Sequence, residues 1–507
     1  MHAKTSTKLP ENIEACHALI TAQAETIQQL SARMDYLVRR LFGTRSERVD
    51  PNQLALFDAP AQEAPPEIPD EEEALSPAPK RKGHGRQRLP KDLPRKRVEH
   101  DVTPEEKVCP ECHREKARIG EDTSEQLDYT PASLHVIEHV CPKYACKHCQ
   151  EYVVQGRKPP QPIEKGLAGP GLLAHVITSK YCDHLPLNRQ EAILARHGVE
   201  LSRKTLSGWM LQCAHVLEPV VAAMKEALLQ SHVLHTDDTP VQVQVKGKKR
   251  KTHRSFLWVY AGDIAHPYTV YDFTWTRNRE GPEAFLRYSK EDECYRGYLQ
   301  ADAYPGYNRL YATRPILEVG CWAHARRKFY DARVSAPASA HEALRRIKEI
   351  YKIEAQAKDD GDDAHALKTR RQCHVKPLLE DFHDWLQARY AESLPKSPFG
   401  QACAYSLRLW TALTRYLNDG RLAIDNNAAE RAIRPLTIGR KNWLFAGSKR
   451  GGAAAATLYS LIQSAKRHQL DPYAYLRDLL TRIPTHPNRQ IHQLLPDHWK
   501  ALAQESH

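Results

Sequence analysis

The sequence lacks the long apolar runs, the signal segment and the dense cysteines that mark membrane or secreted proteins. Its mean hydropathy is −0.63, and no apolar run approaches the roughly 18 residues that span a bilayer. The start of the chain has no apolar signal core. Its 12 cysteines are spread over 507 residues, which is too sparse for the disulfide framework of a small secreted domain. These absences exclude both classes and predict a cytoplasmic protein.

Charge balance is also missing, because the chain carries 74 Lys and Arg against 62 Asp and Glu, a formal net charge of +12. A basic excess favours a polyanionic partner, of which nucleic acid is the commonest; a solvated basic surface is the plain alternative. Hydrophobic residues make up 41% of the chain, which is enough for globular cores. The length predicts roughly two to four domains.

Apolar residues recur at every seventh position near the start of the chain, at Ile13, Ile20, Ile27, Met34 and Leu41. This spacing predicts a coiled-coil helix within residues 1–50 that pairs subunits; the alternative is an amphipathic helix packed on its own chain. Residues 51–100 have the composition of a disordered linker, acidic at first and basic over residues 80–97. The basic part either follows a phosphate backbone or is a solvated tether.

Two Cys-x-x-Cys pairs lie within residues 101–160, Cys109 with Cys112 and Cys146 with Cys149. Each pair presents two thiolates at the spacing of a tetrahedral zinc site, and four thiolates leave no position open for water. We therefore predict a small zinc-binding domain whose Zn²⁺ is structural. Adjoining histidines are alternative ligands.

Apolar periodicity divides the rest of the chain into helices and strands. Residues 165–230 predict a helical region with a helix-turn-helix-like pair around Gly198, and Ser202 as N-cap of the second helix. Residues 231–335 predict three antiparallel strands, a helix and two further strands, which is the order of an RNase-H-like α/β core. The remaining segments are predicted to be an all-helical insertion (336–420), the C-terminal helices of the core (421–485) and a tail (486–507). The fold class is multidomain α+β.

Three acidic residues stand where metal-dependent phosphodiester chemistry needs them. Asp237 directly follows an apolar strand, Asp302 ends another strand, and Glu430 lies one turn inside a helix that Asp425 would cap. Such carboxylates hold two divalent cations, Mg²⁺ or Mn²⁺, that keep the attacking and leaving oxygens in line. The alternatives are two turn acids that precede prolines and a helical ion pair of Glu430.

Basic and aromatic residues follow Asp302 and Glu430. They are His324, Arg326, Arg327 and Lys328 after the last predicted strand, and Arg434, Arg440, Lys441 and Trp443 after Glu430. Arg and Lys hold phosphates and Trp stacks on a splayed base, so these residues are candidate DNA contacts. Solvated charges and a core aromatic are the alternatives.

The blocks in this order resemble the large transposase of IS66-type bacterial insertion sequences. The likeness is carried by LRRLFGTRSER, CPEC, YACKHC, HTDDTPVQV, DAYPGYN, CWAHARRKF and DNNAAERAIRPLTIGRKNWLFAGS. The resemblance implies a leucine-zipper N-terminus, a zinc-binding domain, and a DDE catalytic domain with divalent metal at Asp237, Asp302 and Glu430. Asp238 stands where the family pattern has Glu, and Cys141 where it has Arg; neither is expected to touch a metal ligand.

These features predict a DNA transposase that binds the terminal inverted repeats of an insertion sequence and catalyses metal-dependent strand cleavage and strand transfer. Its expected partners are double-stranded DNA at the transposon ends and the target, a second copy through the coiled coil, and small accessory proteins of the same element. The expected location is at the nucleoid. The competing hypotheses are a structure-selective RNase-H-like nuclease, a non-catalytic zinc-containing DNA-binding regulator and an architectural protein.

Overall fold

The computed structural model describes residues 160–164, 166–245, 252–288 and 294–499, together with a few positions before residue 160. The predicted coiled coil, the linker and the four cysteines of the predicted zinc site lie outside the described residues, apart from some helical positions between His17 and Leu30. Those features therefore stay predictions.

The strands of the described part form two sheets. A two-stranded antiparallel sheet pairs β1 (Lys143–Tyr144) with β2 (Val154–Gln155). The larger sheet has the order β5-β4-β3-β6-β7, and its strands are β3 (Val233–Gln244), β4 (Thr252–Ala261), β5 (Thr269–Thr274), β6 (Gly297–Gln300) and β7 (Ile316–Val319). β3, β4 and β5 pair antiparallel, whereas β6 runs parallel to β3 and β7 parallel to β6.

β3 is one continuous strand of 12 residues that contains Asp237 and Asp238. The sequence analysis ended a strand before Asp237, and that prediction was wrong. β4 pairs with β3 from His235 to Gln244 and holds the Asp-Asp-Thr-Pro segment extended. β6 pairs only with Val233–His235, and beyond it Gln242 and Gln244 exchange backbone hydrogen bonds with Ala446 at 2.8 and 2.9 Å. Pro240 lies between these two pairings, where a missing N–H is tolerated.

Three helices precede the large sheet, α1 (Pro170–Tyr181), α2 (Leu187–Arg196) and α3 (Arg203–Leu228). α2 and α3 form the predicted helix pair. The turn between them passes through Gly198, whose φ of 79° favours glycine. The predicted cap is also present, because the Ser202 hydroxyl accepts the N–H of Thr205 at 3.2 Å.

The other helices follow the strands. Two short ones lie between strands, α4 (Glu280–Phe285) after β5 and α5 (Asn308–Thr313) after β6. A helical region follows β7, with α6 (Trp322–Ala332), α7 (Pro337–Asp359), α8 (Ala364–Arg370), α9 (Lys376–Glu392), α10 (Pro398–Arg408) and α11 (Trp410–Thr414). The last three are α12 (Asn427–Trp443), α13 (Lys449–Arg467) and α14 (Pro472–Arg482).

Two hydrophobic cores stabilise the described part. The larger joins α1–α3 and α12–α14 to the large sheet. The smaller lies among α6, α7, α9, α10 and α11 and reaches the sheet through Val233 and Val319. The fold is therefore mixed α+β and mostly helical, with one five-stranded sheet. No helix in the described part combines the length and the apolar character that a bilayer crossing requires.

The outer edge of β5 is covered by α13, which packs along it. The Ser464 hydroxyl accepts the N–H of Thr269 at 3.0 Å and donates to the Thr269 carbonyl at 3.0 Å. The Ser460 hydroxyl accepts the N–H of Tyr271 at 2.8 Å. Helix side chains thus satisfy backbone groups that an edge strand leaves open.

Candidate functional site

Asp237, within β3, and Asp302, two residues past the end of β6, follow neighbouring parallel pairings of the sheet. The sequence analysis ended a strand at Asp302, and that prediction was wrong, because β6 ends at Gln300. β3 and β6 pair with His235 beside Gln300, and each aspartate stands two residues further along its strand direction. Because side chains of a strand alternate with a period of two, this register brings both carboxylates to one edge of the sheet. The Asp302 carboxylate accepts the N–H of Tyr304 at 3.1 Å, across a turn in which Ala303 has a φ of 64°.

Glu430 reaches this edge from the first turn of α12, which packs on β3 and β4. The start of the helix is fastened by Asn426, a fully buried residue. Its side chain donates to the Thr236 carbonyl of β3 at 2.8 Å, and its backbone N–H donates to Sγ of Cys321, after β7, at 3.2 Å. The third acid is therefore anchored to the strand that carries the first.

The cap of α12 differs from the prediction. Asp425 was expected to be the N-cap, but Asn426 occupies that position and makes no side-chain capping bond. The reason is that the Asn426 side-chain oxygen, which would accept a capping bond, instead pairs with Nδ1 of His235 on β3 at 3.2 Å. Asp425 lies one residue earlier, accepts the N–H of Asn427 at 3.2 Å and accepts the hydroxyl of Tyr351 at 3.2 Å.

The Asp237 carboxyl is strongly perturbed by its surroundings. Burial, followed by the negative charge of Asp302, raises the pKa of Asp237 to about 7, and the charges of Asp238 and Glu430 act in the same direction. A hydrogen bond from the Asp238 N–H to Asp237 Oδ1, at 2.7 Å, opposes this shift. The acids repel one another, and a divalent cation would relieve that repulsion. Clustered carboxylate oxygens are also the ligands that hard cations prefer, so this donor set fits such an ion.

Arg277 is a cation of the site that the sequence analysis missed. Its Nε and Nη2 donate to the two carboxylate oxygens of Asp238 at 2.9 and 2.7 Å. Nη2 also lies 4.0 Å from Oδ2 of Asp302, and the guanidinium lies 4.2 Å from the centre of the Tyr304 ring. Asp238 was expected not to touch a metal ligand, and that expectation was wrong, because its N–H bonds Asp237 and its partner Arg277 borders Asp302. No sequence spacing could signal this pair, whose members are 39 residues apart.

His324, in the first turn of α6, lies beside Glu430. Its Nδ1 is 3.9 Å from Oε1 of Glu430 and, in the described part of the chain, is buried without a hydrogen-bond partner. Cys321 completes a group whose possible ligand atoms lie within 4.8 Å of one another. Burial raises the pKa of Cys321 to about 12, so its thiol is protonated in the metal-free protein. The histidine nitrogen and the Glu430 carboxylate are the donors that need no such deprotonation.

The other candidates on α6 are partly or fully exposed. Arg327 and Lys328 are exposed one turn beyond His324, and Arg326 is half-buried. Lys328 Nζ lies 4.6 Å from the centre of the Tyr405 ring. Neither arginine forms an ion pair with a residue that the structure describes, so both are available to an anion.

The candidate DNA contacts on α12 are of two kinds: two residues are exposed, and two are partly buried against other elements. Arg434 and Lys441 are exposed and continue from Glu430 at helical spacing. Arg440 instead donates to the Pro240 carbonyl of β3, and Trp443 lies half-buried beside α1. The structure thus places His324 next to Glu430. The other basic candidates lie further along α6 and α12, the two helices whose first turns contain these residues.

Comparison with known families places four sequence models on this chain. The model of the Transposase IS66 family matches residues 165–454, more than half of the chain, and the IS66 C-terminal element matches residues 460–496. The zinc-finger binding domain of transposase IS66 matches residues 106–150, which contain both cysteine pairs. The model described as transposase C of IS166 homeodomain matches residues 29–98.

Three uncharacterized proteins of Sinorhizobium fredii are similar along nearly the whole chain. The protein y4jD is 33% identical over 97% of this chain and 98% of its own length. The protein y4hP is 33% identical over 94% of this chain and 89% of its own length, and y4qI is 35% identical over 94% and 90%. The similarity therefore covers the N-terminal segments as well as the region that contains Asp237, Asp302 and Glu430.

Proposed function

The chain belongs to the IS66 transposase family, and from that premise we propose that it is a DNA transposase. It binds the terminal inverted repeats of an insertion sequence and catalyses metal-dependent strand cleavage and strand transfer. Convergence of Asp237, Asp302 and Glu430 at one edge of the sheet supports this function. The order of three antiparallel strands, a helix and two parallel strands supports an RNase-H-like core.

Asp237, Asp302 and Glu430 would hold the divalent cations of this centre, Mg²⁺ or Mn²⁺. When bound, such cations supply Lewis-acid activation of the attacking oxygen and neutralise charge on the phosphate. Cys109, Cys112, Cys146 and Cys149 would hold a structural Zn²⁺, because paired Cys-x-x-Cys thiolates suit tetrahedral zinc.

The residues around the acids position them. The N–H groups of Asp238 and Tyr304 orient the carboxylates of Asp237 and Asp302, and Arg277 keeps the Asp238 charge paired. His324 adjoins Glu430. The exposed arginines and lysines of α6 and α12 would hold the phosphate backbone next to the acids.

The proposed reaction has two steps. In cleavage, water oxygen bonds to phosphorus at the element's end, the P–O3′ bond breaks, and the 3′ oxygen leaves as a hydroxyl after taking a proton. In strand transfer, that 3′-hydroxyl attacks a phosphate of target DNA and displaces a target 3′-hydroxyl. Neither step oxidises or reduces a group, so no redox cofactor is needed.

A cleavage assay tests the proposal. A labelled duplex that carries the flanking inverted repeat is incubated with Mg²⁺ or Mn²⁺ and wild-type or Asp302→Asn protein. Asparagine retains an oxygen for the Tyr304 N–H but loses the charge, so nicking at the repeat boundary should fall by orders of magnitude while end binding persists. Asp384→Asn, an exposed acid on α9, is the matched control and should cleave normally.

The other outcomes separate the competing functions. Equal nicking of unrelated duplexes would favour a nuclease. Specific end binding by the wild type, without metal-dependent nicking of any strand, would favour a non-catalytic regulator. Wild-type nicking that is retained by Asp302→Asn would remove the second acid from the centre.

A further inference from the structure

A cavity of about 470 Å³ lies between α1, the start of α3, the β3–β4 pair and the junction of α12 with α13. Its walls include Lys180 from α1, Met210 from α3, Trp443 from α12, and Gly451 and Gly452 from the first turn of α13. This volume is in the range of pockets that bind small ligands. None of the three acids lines it.

Two cations line this cavity, Lys180 and Arg203; Arg203 is paired with Glu191 at 3.1 Å, whereas Lys180 has no acidic partner among the described residues. Its Nζ lies 5.1 Å from the centre of the Tyr181 ring and 5.4 Å from that of Trp443. The side chain is largely buried, which lowers the pKa of Lys180 to about 8. It forms no hydrogen bond or ion pair with any described residue. A partly buried ammonium group without an acidic neighbour is stabilised when an anion binds beside it, so the site favours an anion.

The N-terminus of α13 faces the same cavity. The helix has 19 residues and begins at Lys449, so its aligned peptide dipoles place partial positive charge at this end. The N–H groups of Gly451 and Gly452, which line the cavity, donate to the hydroxyl and the carbonyl of Ser448, each at 3.0 Å, so this helix end contributes its dipole to the cavity rather than free N–H donors. Phosphates bind at helix ends of this kind.

Trp443 forms an aromatic wall of the cavity, and the packing around Gly439 holds its indole in place. A Cβ on Gly439, one turn earlier on α12, would lie 2.8 Å from Nε1 of Trp443 and 2.7 Å from the hydroxyl of Tyr459 on α13, so the indole and the tyrosine both pack over this glycine. Tyr459 is held in turn by an edge-on contact with Tyr181 at 4.9 Å between ring centres. Phe445, at the mouth of the cavity, is exposed.

We propose that this cavity is a nucleotide subsite for a DNA strand, in which Lys180 and the N-terminus of α13 hold a backbone phosphate and Trp443 stacks on the adjoining unpaired base. An aromatic face and a cation together are the elements by which proteins bind unpaired nucleotides. The proposal rests on the proposed function, because it takes DNA as the ligand.

The position of the cavity favours DNA over a free nucleotide. Trp443 ends the helix that Glu430 begins, which separates the two by about 20 Å along α12. The exposed Arg434 and Lys441 lie on the same helix between them. Stacked DNA covers that distance in about six nucleotides, so we expect the unpaired base within about six nucleotides of the scissile phosphate.

Chemical protection of Lys180 tests the subsite. An amine-reactive acetylating ester is applied at pH 8 to Asp302→Asn protein alone, with a repeat-end duplex whose last six nucleotides are frayed, and with ATP. Peptide mass spectrometry measures the modification. We expect the frayed duplex to lower Lys180 acetylation at least about fivefold and ATP to leave it unchanged. Lys225, a half-buried lysine 5.0 Å from the centre of the Phe285 ring, is the internal reference and should not change.

The outcomes that overturn the proposal are distinct. Unchanged Lys180 acetylation while fluorescence anisotropy shows the DNA bound would place the strand elsewhere. Equal protection by ATP would make it a free-nucleotide site. Absence of any DNA binding would overturn the proposed function as well.

A binding series with variants provides the second measurement. Lys180→Met should weaken binding of the frayed duplex about tenfold, as loss of a charge-assisted contact does, and should reduce the slope of log affinity against log salt by about 0.7. Binding of the fully paired duplex should change less than about twofold. Lys225→Met is the matched control, and circular dichroism checks folding. Wild-type affinity of Lys180→Met for the frayed duplex would overturn the proposal.

Discussion

At the scale of single residues, the Asp237 carboxyl lowers the free energy of unfolding when it is ionised. It is held in a part-buried position beside Asp302, and burial raises its pKa to about 7. An ionised carboxyl there is less favourable in the folded chain than in the unfolded one, where its pKa is about 3.9. Such destabilisation is typical of sites selected for binding rather than for stability.

The first prediction concerns pH. Between about pH 4 and 7 the folded chain binds a proton at Asp237 that the unfolded chain has already lost, so the free energy of unfolding should fall as pH rises through this range. Asp237→Asn should flatten that dependence and stabilise the metal-free protein at pH 8 by about 1–3 kcal/mol. Urea denaturation in EDTA measures both. A steeper fall in the variant would contradict the assignment, and Mg²⁺ should stabilise the wild type more than the variant.

The second prediction concerns Arg277. Arg277→Met leaves the carboxylate of Asp238, whose side chain is 5% exposed, without its partner. Because Arg277 itself is 39% exposed, we expect a loss of about 1–2 kcal/mol rather than the larger cost of a fully buried pair. Asp238→Asn in the same background should recover part of this loss, because the amide carries no charge. Denaturation of all four proteins in the cycle gives the coupling, and additive effects would exclude the pair.

At the scale of elements, local sequence patterns predicted most of the helices and strands. They did not predict the tertiary contacts that hold these elements against one another. Alternation of apolar residues predicted the strands, and the Gly198 turn with its Ser202 cap predicted the α2–α3 pair, which the structure confirms. The continuity of β3 through Asp237 was not predicted, because it depends on pairing with β4, a tertiary contact that overrides local turn signals. The Asn426 contact with β3 was missed for the same reason.

The third prediction concerns the closed edge of β5. Ser464→Ala leaves the buried N–H and C=O of Thr269 without their hydroxyl partner, which should lower the free energy of unfolding by roughly 1–3 kcal/mol. Hydrogen exchange should accelerate at the Thr269 amide. Thr457→Ala is the control on the same helix, because its hydroxyl bonds only to the helix carbonyl of Ala453. Equal effects of the two variants would mean that the edge contacts contribute nothing.

At the scale of the whole molecule, the three acids come from distant parts of the chain. Sequence reasoning selected Asp237, Asp302 and Glu430 by residue type and by resemblance, and their roles stay a proposal. It could not supply Arg277 or Lys180, because neither lies in a motif and each matters only through folded neighbours. Electrostatic and cavity-lining residues of this kind depend on tertiary packing.

The fourth prediction concerns zinc. We expect about one zinc per chain, bound by Cys109, Cys112, Cys146 and Cys149, and Cys112→Ser should lose it. Because the described core has its own packing, its thermal unfolding should change little, whereas specific binding of the inverted repeat should weaken more than tenfold. Atomic absorption and anisotropy measure the two effects. Retention of zinc by Cys112→Ser would require a different ligand set.

Glu430 lies on α12, which follows α6–α11 in the chain. It is therefore synthesised well after Asp237 and Asp302. At roughly 5–20 residues per second, the ribosome needs on the order of ten seconds to travel from Asp302 to Glu430. During that interval a nascent chain holds its N-terminal segments and two acids but lacks the third. In the proposed transposase, the catalytic centre would therefore be completed late in translation, together with the helices α12–α14 that close the larger core.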